Sequence, residues 1–226
     1  MKVSGLEKAF LRIVGPWLES PPQVMRKSFL RGVFRIKKGP DDRTVYLTFD
    51  DGPIPESTPW LLDMLDSYGV KATFFMVGDN VRKYPGLYQE VIKRGHKAGN
   101  HTMHHLDGSR IWTTRYVRDV EEAAEYIDSD LLRPPHGWMR VLQREYLNTK
   151  YRIVMYDVVT RDYSKYVSAE KVVENVKKYT RPGSIIVFHD SLKSIDKLKT
   201  ALPECLDWLK GEKYRFALVP GKDGHQ

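Results

Sequence analysis

The segment His101-Thr102-Met103-His104-His105 sets two imidazoles four residues apart, a spacing at which both can project from one face of a helical turn and chelate a single ion. Neutral imidazole suits a borderline metal, at about 2.0 to 2.1 Å from nitrogen for zinc, and a catalytic centre needs a further protein ligand and an open position for water. A pair of this kind is more often structural when it stands alone, and His104 is the expected bystander. The acidic pair in Thr48-Phe49-Asp50-Asp51-Gly52-Pro53 offers the missing ligand, although Asp-Gly is equally a plain turn signal. Two adjacent carboxylates resist being ionised together unless a cation neutralises one. Asp51 as ligand and Asp50 as base is therefore a physically sensible division.

The elements that must position these residues form an alternating series. β-rich runs are read at 45–49, 72–77, 97–100, 131–133, 152–156, 184–188 and 214–218, with helical stretches at 58–68, 85–94, 116–127, 141–149, 169–179 and 195–209. Strict alternation implies parallel strands joined by helical crossovers. Periodicity alone leaves both an open doubly wound sheet and an irregular barrel. The polar residues favour closure: Asp50 and Asp51, His101 and His105, Arg133, Asp162 and His189 all fall at, or a few residues past, the C-terminal end of a predicted strand, as they do where βα loops build a site on one rim.

At 226 residues, 41% hydrophobic and 29% charged, the chain suits one globular domain and not a disordered segment. Its net charge of +8 raises the question of an anionic partner. Residues Lys2 to Arg43 hold ten Lys/Arg against four Asp/Glu, so most of the excess precedes the first motif. No nucleic-acid motif accompanies it, and no nucleic-acid partner is expected. Residues 1–43 read as a basic extension in which Leu6, Phe10, Ile13 and Trp17 mark a short amphipathic helix before Pro21 and Pro22; packing on its own domain is the expected role, with a membrane surface as the alternative. Lys8 and Arg12 interrupt what would be a signal-peptide core, so the sequence as written suggests a cytoplasmic protein, with a cell-envelope role left open. The single cysteine, Cys205, permits no internal disulfide.

With these motifs in order, the chain resembles the polysaccharide deacetylase family, the NodB-homology domain of carbohydrate esterase family 4. Thr48 to Pro53 resembles the first family motif, Gly99 to His105 the second, Arg133-Pro134-Pro135-His136-Gly137 the third, Asp157 to Tyr163 the fourth and Ile185 to Asp190 the fifth. The likeness runs from about Thr44 to Leu218. It implies a single α/β domain over 44–226, a distorted, incomplete (β/α) barrel of about seven parallel strands.

The resemblance implies one divalent cation, zinc before cobalt, nickel or manganese, held by Asp51, His101 and His105. It implies Asp50 as general base and His189 as general acid toward the departing amine, with Asp162 raising the pKa of His189 and Arg133 pairing with a site carboxylate. The backbone N–H of His136 would donate to the oxyanion, and Pro134, Tyr163 and Val187 would line the substrate. Three positions depart from the family pattern: His136 replaces a tyrosine, Val159 an acidic residue and Tyr163 a tryptophan. Backbone donation tolerates the first change, and the others bear on the shape of the sugar pocket. The implied reaction is removal of N-acetyl groups from an N-acetylglucosamine glycan, in peptidoglycan or a chitin-like oligosaccharide. An O-acetyl (xylan) esterase, a small-amide hydrolase and a non-catalytic glycan-binding module are the alternatives. Oligomeric state is left open.

Overall fold

The central strand is β1 (Thr44–Asp51), whose side chains alternate between two environments. Val45, Leu47 and Phe49 join the large core under the helices, and Tyr46 joins a separate cluster with Phe75 and Leu131 inside the curl of the sheet. The same parity holds in β2 (Thr73–Met76), where Phe74 and Met76 face the helices and Phe75 faces inward. It also holds in β7 (Ile185–His189), where Ile186 and Phe188 face the helices and Ile185 faces inward. Carried to the strand ends, this period of two places Asp50, Val187 and His189 on the inner face. That alternation is why a run as apolar as Ile185-Ile186-Val187-Phe188 can end in a histidine on the inner face.

The computed structural model describes residues 32–36, 39 and 41–222. The amphipathic helix expected between Leu6 and Trp17 lies outside the described residues. The remaining strands are β3 (Lys97–Asn100), β4 (Leu131–Leu132), β5 (Arg152–Ile153), β6 (Val158–Val159) and β8 (Arg215–Phe216). The helices are α1 (Thr58–Ser67), α2 (Gly78–Lys83), α3 (Pro85–Lys93), α4 (Thr113–Ala124), α5 (Val141–Lys150), α6 (Ala169–Tyr179) and α7 (Ile195–Gly211).

Every strand pairing among these elements is parallel, in the order β5-β4-β3-β2-β1-β7-β6, with β8 beside the first residues of β1. The sheet curls without a pairing between β5 and β6 among the described residues, which makes the barrel incomplete. Val33 to Ile36 crosses that seam: Val33 bridges Val154 in parallel and Arg35 bridges Ser184 antiparallel, with Val33 N–H to the Ile153 carbonyl and Ile36 N–H to the Gly183 carbonyl both at 2.9 Å.

The seven expected strands are present, with three differences in detail. The run at 152–156 pairs only over Arg152–Ile153, Val158–Val159 forms an additional strand, and α2 is an additional short helix before α3. Val158–Val159 is too short to show a period of its own, and its pairing with β7 is what makes it a strand.

Candidate active site

Arg133 follows β4 and points into the barrel, 1% exposed. Its guanidinium lies over the Phe75 ring, 4.1 Å from the centroid, and each nitrogen is used. Nη1 donates to Asp50 Oδ1 at 2.6 Å and to Thr48 Oγ1 at 2.8 Å, Nη2 to the Met155 carbonyl at 2.9 Å and Nε to the Val154 carbonyl at 3.3 Å. A planar, fully bonded cation of this kind compensates the buried Asp50 carboxylate and fixes its orientation.

Asp51 ends β1 in the left-handed region, at φ 84°, and this turn sends its side chain away from that of Asp50. Its Oδ1 lies 3.2 Å from His105 Nε2 and 3.9 Å from His101 Nε2. The two histidines do not share a helical turn, which corrects the expectation from their spacing. Residues 101–105 form a loop in which Thr102 and His105 have φ of 65° and 54°.

Several bonds hold that loop. The first N–H groups of α2, from Gly78 and Asp79, donate to the Thr102 and Met103 carbonyls at 2.9 and 3.0 Å. Asp119 of α4 accepts the backbone N–H of Met103 at 2.9 Å and of His104 at 3.0 Å on one oxygen, and meets His104 Nδ1 at 2.6 Å with the other. His104, the expected bystander, is thereby tied to a buried carboxylate beside the loop.

The triad fits a divalent cation. Its three ligand atoms lie within 4.8 Å of one another, and ligands about 2.1 Å from a tetrahedral ion sit roughly 3.4 Å apart. His101 Nδ1 is 2.8 Å from the Arg133 carbonyl; a carbonyl only accepts, so Nδ1 carries the proton and Nε2 presents its lone pair. Burial, offset only in part by Asp50, pushes the His101 pKa down to about 4, which keeps the ring in the neutral form a metal needs. Burial opposes ionisation of Asp51, but the hydrogen bond from His105 and the nearby His189 and His101 outweigh it and hold the carboxyl well below the usual carboxylate range.

His189 ends β7, paired in register with Asp50. Its Nδ1 donates to Asp162 Oδ1 at 2.8 Å and its backbone N–H to Asp162 Oδ2 at 2.8 Å. Asp162 is fully buried and also accepts the N–H of Tyr163 at 3.1 Å. Burial alone would strip the His189 proton, yet the charge and hydrogen bond of Asp162, joined by Asp51 and Asp50, push its pKa up to about 9.

These groups open on one cavity of about 360 Å³, lined also by Pro134, His136, Val159, Tyr163 and Val187. Every residue given a role in the site from the sequence is on its wall except Asp162, which lies behind His189. His136 sits in the 3-10 turn Pro135–Gly137 with φ 60°, its ring 4.8 Å from that of His105. Burial and the charge of His105 lower its pKa. The Tyr163 ring stands edge-on to His189 at 4.6 Å.

Two further lining residues, Tyr156 and Lys193, were not read from the sequence. Tyr156 closes the predicted run 152–156, so the strand-end rule that flagged Arg133 would have flagged it. Burial pushes its phenol up to about 12, leaving it a protonated donor. Lys193 lies four residues past His189 in an irregular loop and carries no such mark.

Comparison with known proteins agrees with this geometry. The family model described as polysaccharide deacetylase matches residues 37–153. A peptidoglycan-N-acetylglucosamine deacetylase of Bacillus cereus is 33% identical over 187 residues, covering 79% of this chain and 87% of that protein. A chitooligosaccharide deacetylase of Rhizobium leguminosarum bv. trifolii is 34% identical over 172 residues, covering 73% and 80%. A crystal structure of a peptidoglycan N-acetylglucosamine deacetylase with 4-naphthalen-1-yl-N-oxidanyl-benzamide superposes with a TM-score of 0.73 at 30% identity, covering 87% of this chain and 94% of that one. Ordered motifs, curled parallel sheet and converging Asp/His cluster lead to one assignment: the chain belongs to the polysaccharide deacetylase family of hydrolases.

Proposed function

We propose that this deacetylase removes acetyl groups from N-acetylglucosamine units of a peptidoglycan or chitin-like oligosaccharide, with Asp51, His101 and His105 holding one divalent cation. The observation that carries the reading is the placement of a buried carboxylate, Asp50, and a proton-bearing imidazole, His189, on adjacent strands around the cavity that the triad also faces. One oxygen and two imidazole nitrogens are the donor set of a catalytic zinc site, with cobalt, nickel or manganese as substitutes. Such a cation supplies Lewis-acid polarisation of the acetyl carbonyl and lowers the pKa of water toward neutrality.

The chain's own residues handle the protons. Asp50, with Oδ1 held by Arg133, takes a proton from the attacking water as the oxygen bonds to the acetyl carbon. The backbone N–H of His136 donates to the oxyanion that develops. His189 keeps Nδ1 on Asp162, which leaves Nε2 to protonate the amine as the C–N bond breaks. Acetate and a free amino sugar result. Pro134, Tyr163 and Val187 form walls around the acetyl group and sugar ring.

An amide needs a proton on its leaving nitrogen more than an ester needs one on its oxygen. His189, held by the buried Asp162 carboxylate that raises its pKa, meets that need. The test is acetate release from short N-acetylglucosamine oligomers, alongside metal analysis, before and after chelation, with acetylated xylan in parallel. Unchanged turnover in Asp50→Asn would remove the enzymatic role of this site, and faster release from xylan would reassign the substrate.

A further inference from the structure

Among the described residues the four most exposed large apolar side chains are Trp112 at 77%, Leu142 at 71%, Leu192 at 64% and Val141 at 60%. Three of these, Trp112, Val141 and Leu142, come together from two separate parts of the chain to line one open cleft with Arg140. Trp112 caps the N-terminus of α4 and Arg140 that of α5. Both ends lie on the catalytic rim, because these helices follow β3 and β4.

The cleft is a built feature. Gln143, fully buried, donates from Nε2 to the Gly108 and Ile111 carbonyls at 3.0 Å each and accepts the Arg140 N–H at 2.8 Å. Arg140 Nε donates to the Ser109 carbonyl at 3.2 Å, and its guanidinium lies over the Trp112 ring, 5.5 Å from the centroid. The apolar groups are thus held outward by bonds between the two loops.

The surrounding charge says what kind of partner fits. Residues 107–118 and 138–145 contain five arginines against Asp107 and Glu145, a net of +3, and the Arg110 side chain is 83% exposed. Residues 1–31 are basic as well, six Lys/Arg against two Glu, so their composition offers this surface no opposite charge. Sugars stack on aromatic faces but gain little from exposed valine and leucine. Tryptophan, aliphatic side chains and arginine together are the composition of a surface that rests at a lipid interface.

We propose that the Trp112–Val141–Leu142 shoulder docks this protein on an anionic membrane surface, turning the mouth of the catalytic cavity toward the bilayer. The three apolar side chains enter the headgroup boundary while Arg110, Arg115 and Arg140 meet lipid phosphates.

Flotation of the full chain with vesicles tests this. Vesicles of phosphatidylglycerol in phosphatidylcholine should carry the protein and pure phosphatidylcholine should not, with added salt weakening the binding. The double variant Trp112→Ser/Leu142→Ser should lose binding about tenfold or more, from the loss of its apolar anchors. Its melting temperature and its turnover of a soluble N-acetylglucosamine oligomer should stay unchanged. Failure of the wild type to float, or equal flotation of the double variant, overturns the proposal. A raised KM of the double variant for soluble oligomers reassigns the surface to glycan, and concentration-dependent self-association lost in the variant reassigns it to a second copy of the chain; either result overturns the membrane role.

Discussion

One carboxylate of Asp162 takes both the ring Nδ1 proton and the backbone N–H of His189, each at 2.8 Å, so the same buried group orients the imidazole and sets its charge. Removing that charge while keeping an acceptor separates the two effects. In Asp162→Asn the alkaline limb of kcat/KM, set near pH 9 by the raised His189 pKa, should fall by at least about one pH unit. Activity at pH 6 should change less. A pH profile that keeps its alkaline limb would show that Asp162 does not hold the His189 proton.

The same pair has a stability consequence whose sign is fixed. The folded pKa of His189 lies above its ordinary value of 6.5, at about 9. Protonated His189 therefore stabilises the fold fully below pH 6.5, and this contribution is lost as pH rises through about 9. Thermal melts of wild type and His189→Ala between pH 6 and 10 should show the wild type losing more stability over that window. Parallel curves would contradict the assignment.

Arg133 and Asp50 form a buried pair whose halves should behave differently. Arg133→Met strands the Asp50 carboxylate and should cost about 3 to 5 kcal/mol in urea denaturation. Asp50→Asn keeps a carbonyl acceptor for Nη1, and should cost about 1 to 3 kcal/mol while acetate release is abolished. Equal destabilisation by both would mean that Arg133 does not depend on the charge of Asp50.

Asp119 supports the loop between His101 and His105, the two histidines of the proposed metal triad, through the N–H groups of Met103 and His104. Losing such support around a ligand commonly weakens metal binding about 10- to 100-fold. Asp119→Ala should show this loss in chelator competition with zinc, and Asp119→Asn, which still accepts, should show less. Identical zinc affinity in wild type and Asp119→Ala would leave Asp119 with a packing role alone.

Gly52 sits where a side chain cannot. A Cβ there would lie 2.1 Å from Asp190 Oδ2, and Asp190 is itself held by the Ser57 and Thr58 hydroxyls. Gly52→Ala should cost about 1 to 3 kcal/mol and displace the Asp51 turn, read as a lower urea midpoint together with weaker metal binding. A variant as stable as wild type would show that Asp190 moves freely.

Much of the site was legible before the structure because it sits at strand ends. Asp50, Asp51, Arg133 and His189 close or follow apolar runs, His101 and His105 follow the short, mixed strand Lys97–Asn100, and parallel pairing carries every such end to one rim. The spacing of His101 and His105 suggested a helical turn that does not exist. The loop is imposed by α2 and Asp119, which lie 15 or more residues in sequence from the loop residues they bond, Thr102, Met103 and His104.

The sequence by itself determined the parallel β/α order, the inward-facing parity and the chemical types gathered at the rim, because these follow from local periodicity and side-chain chemistry. Only the tertiary structure decided that His101 offers Nε2, that Tyr156 and Lys193 face the cavity and that Trp112 and Leu142 line one cleft. Each depends on burial or on a contact between segments distant in the chain, and neither quantity exists until the sheet has curled.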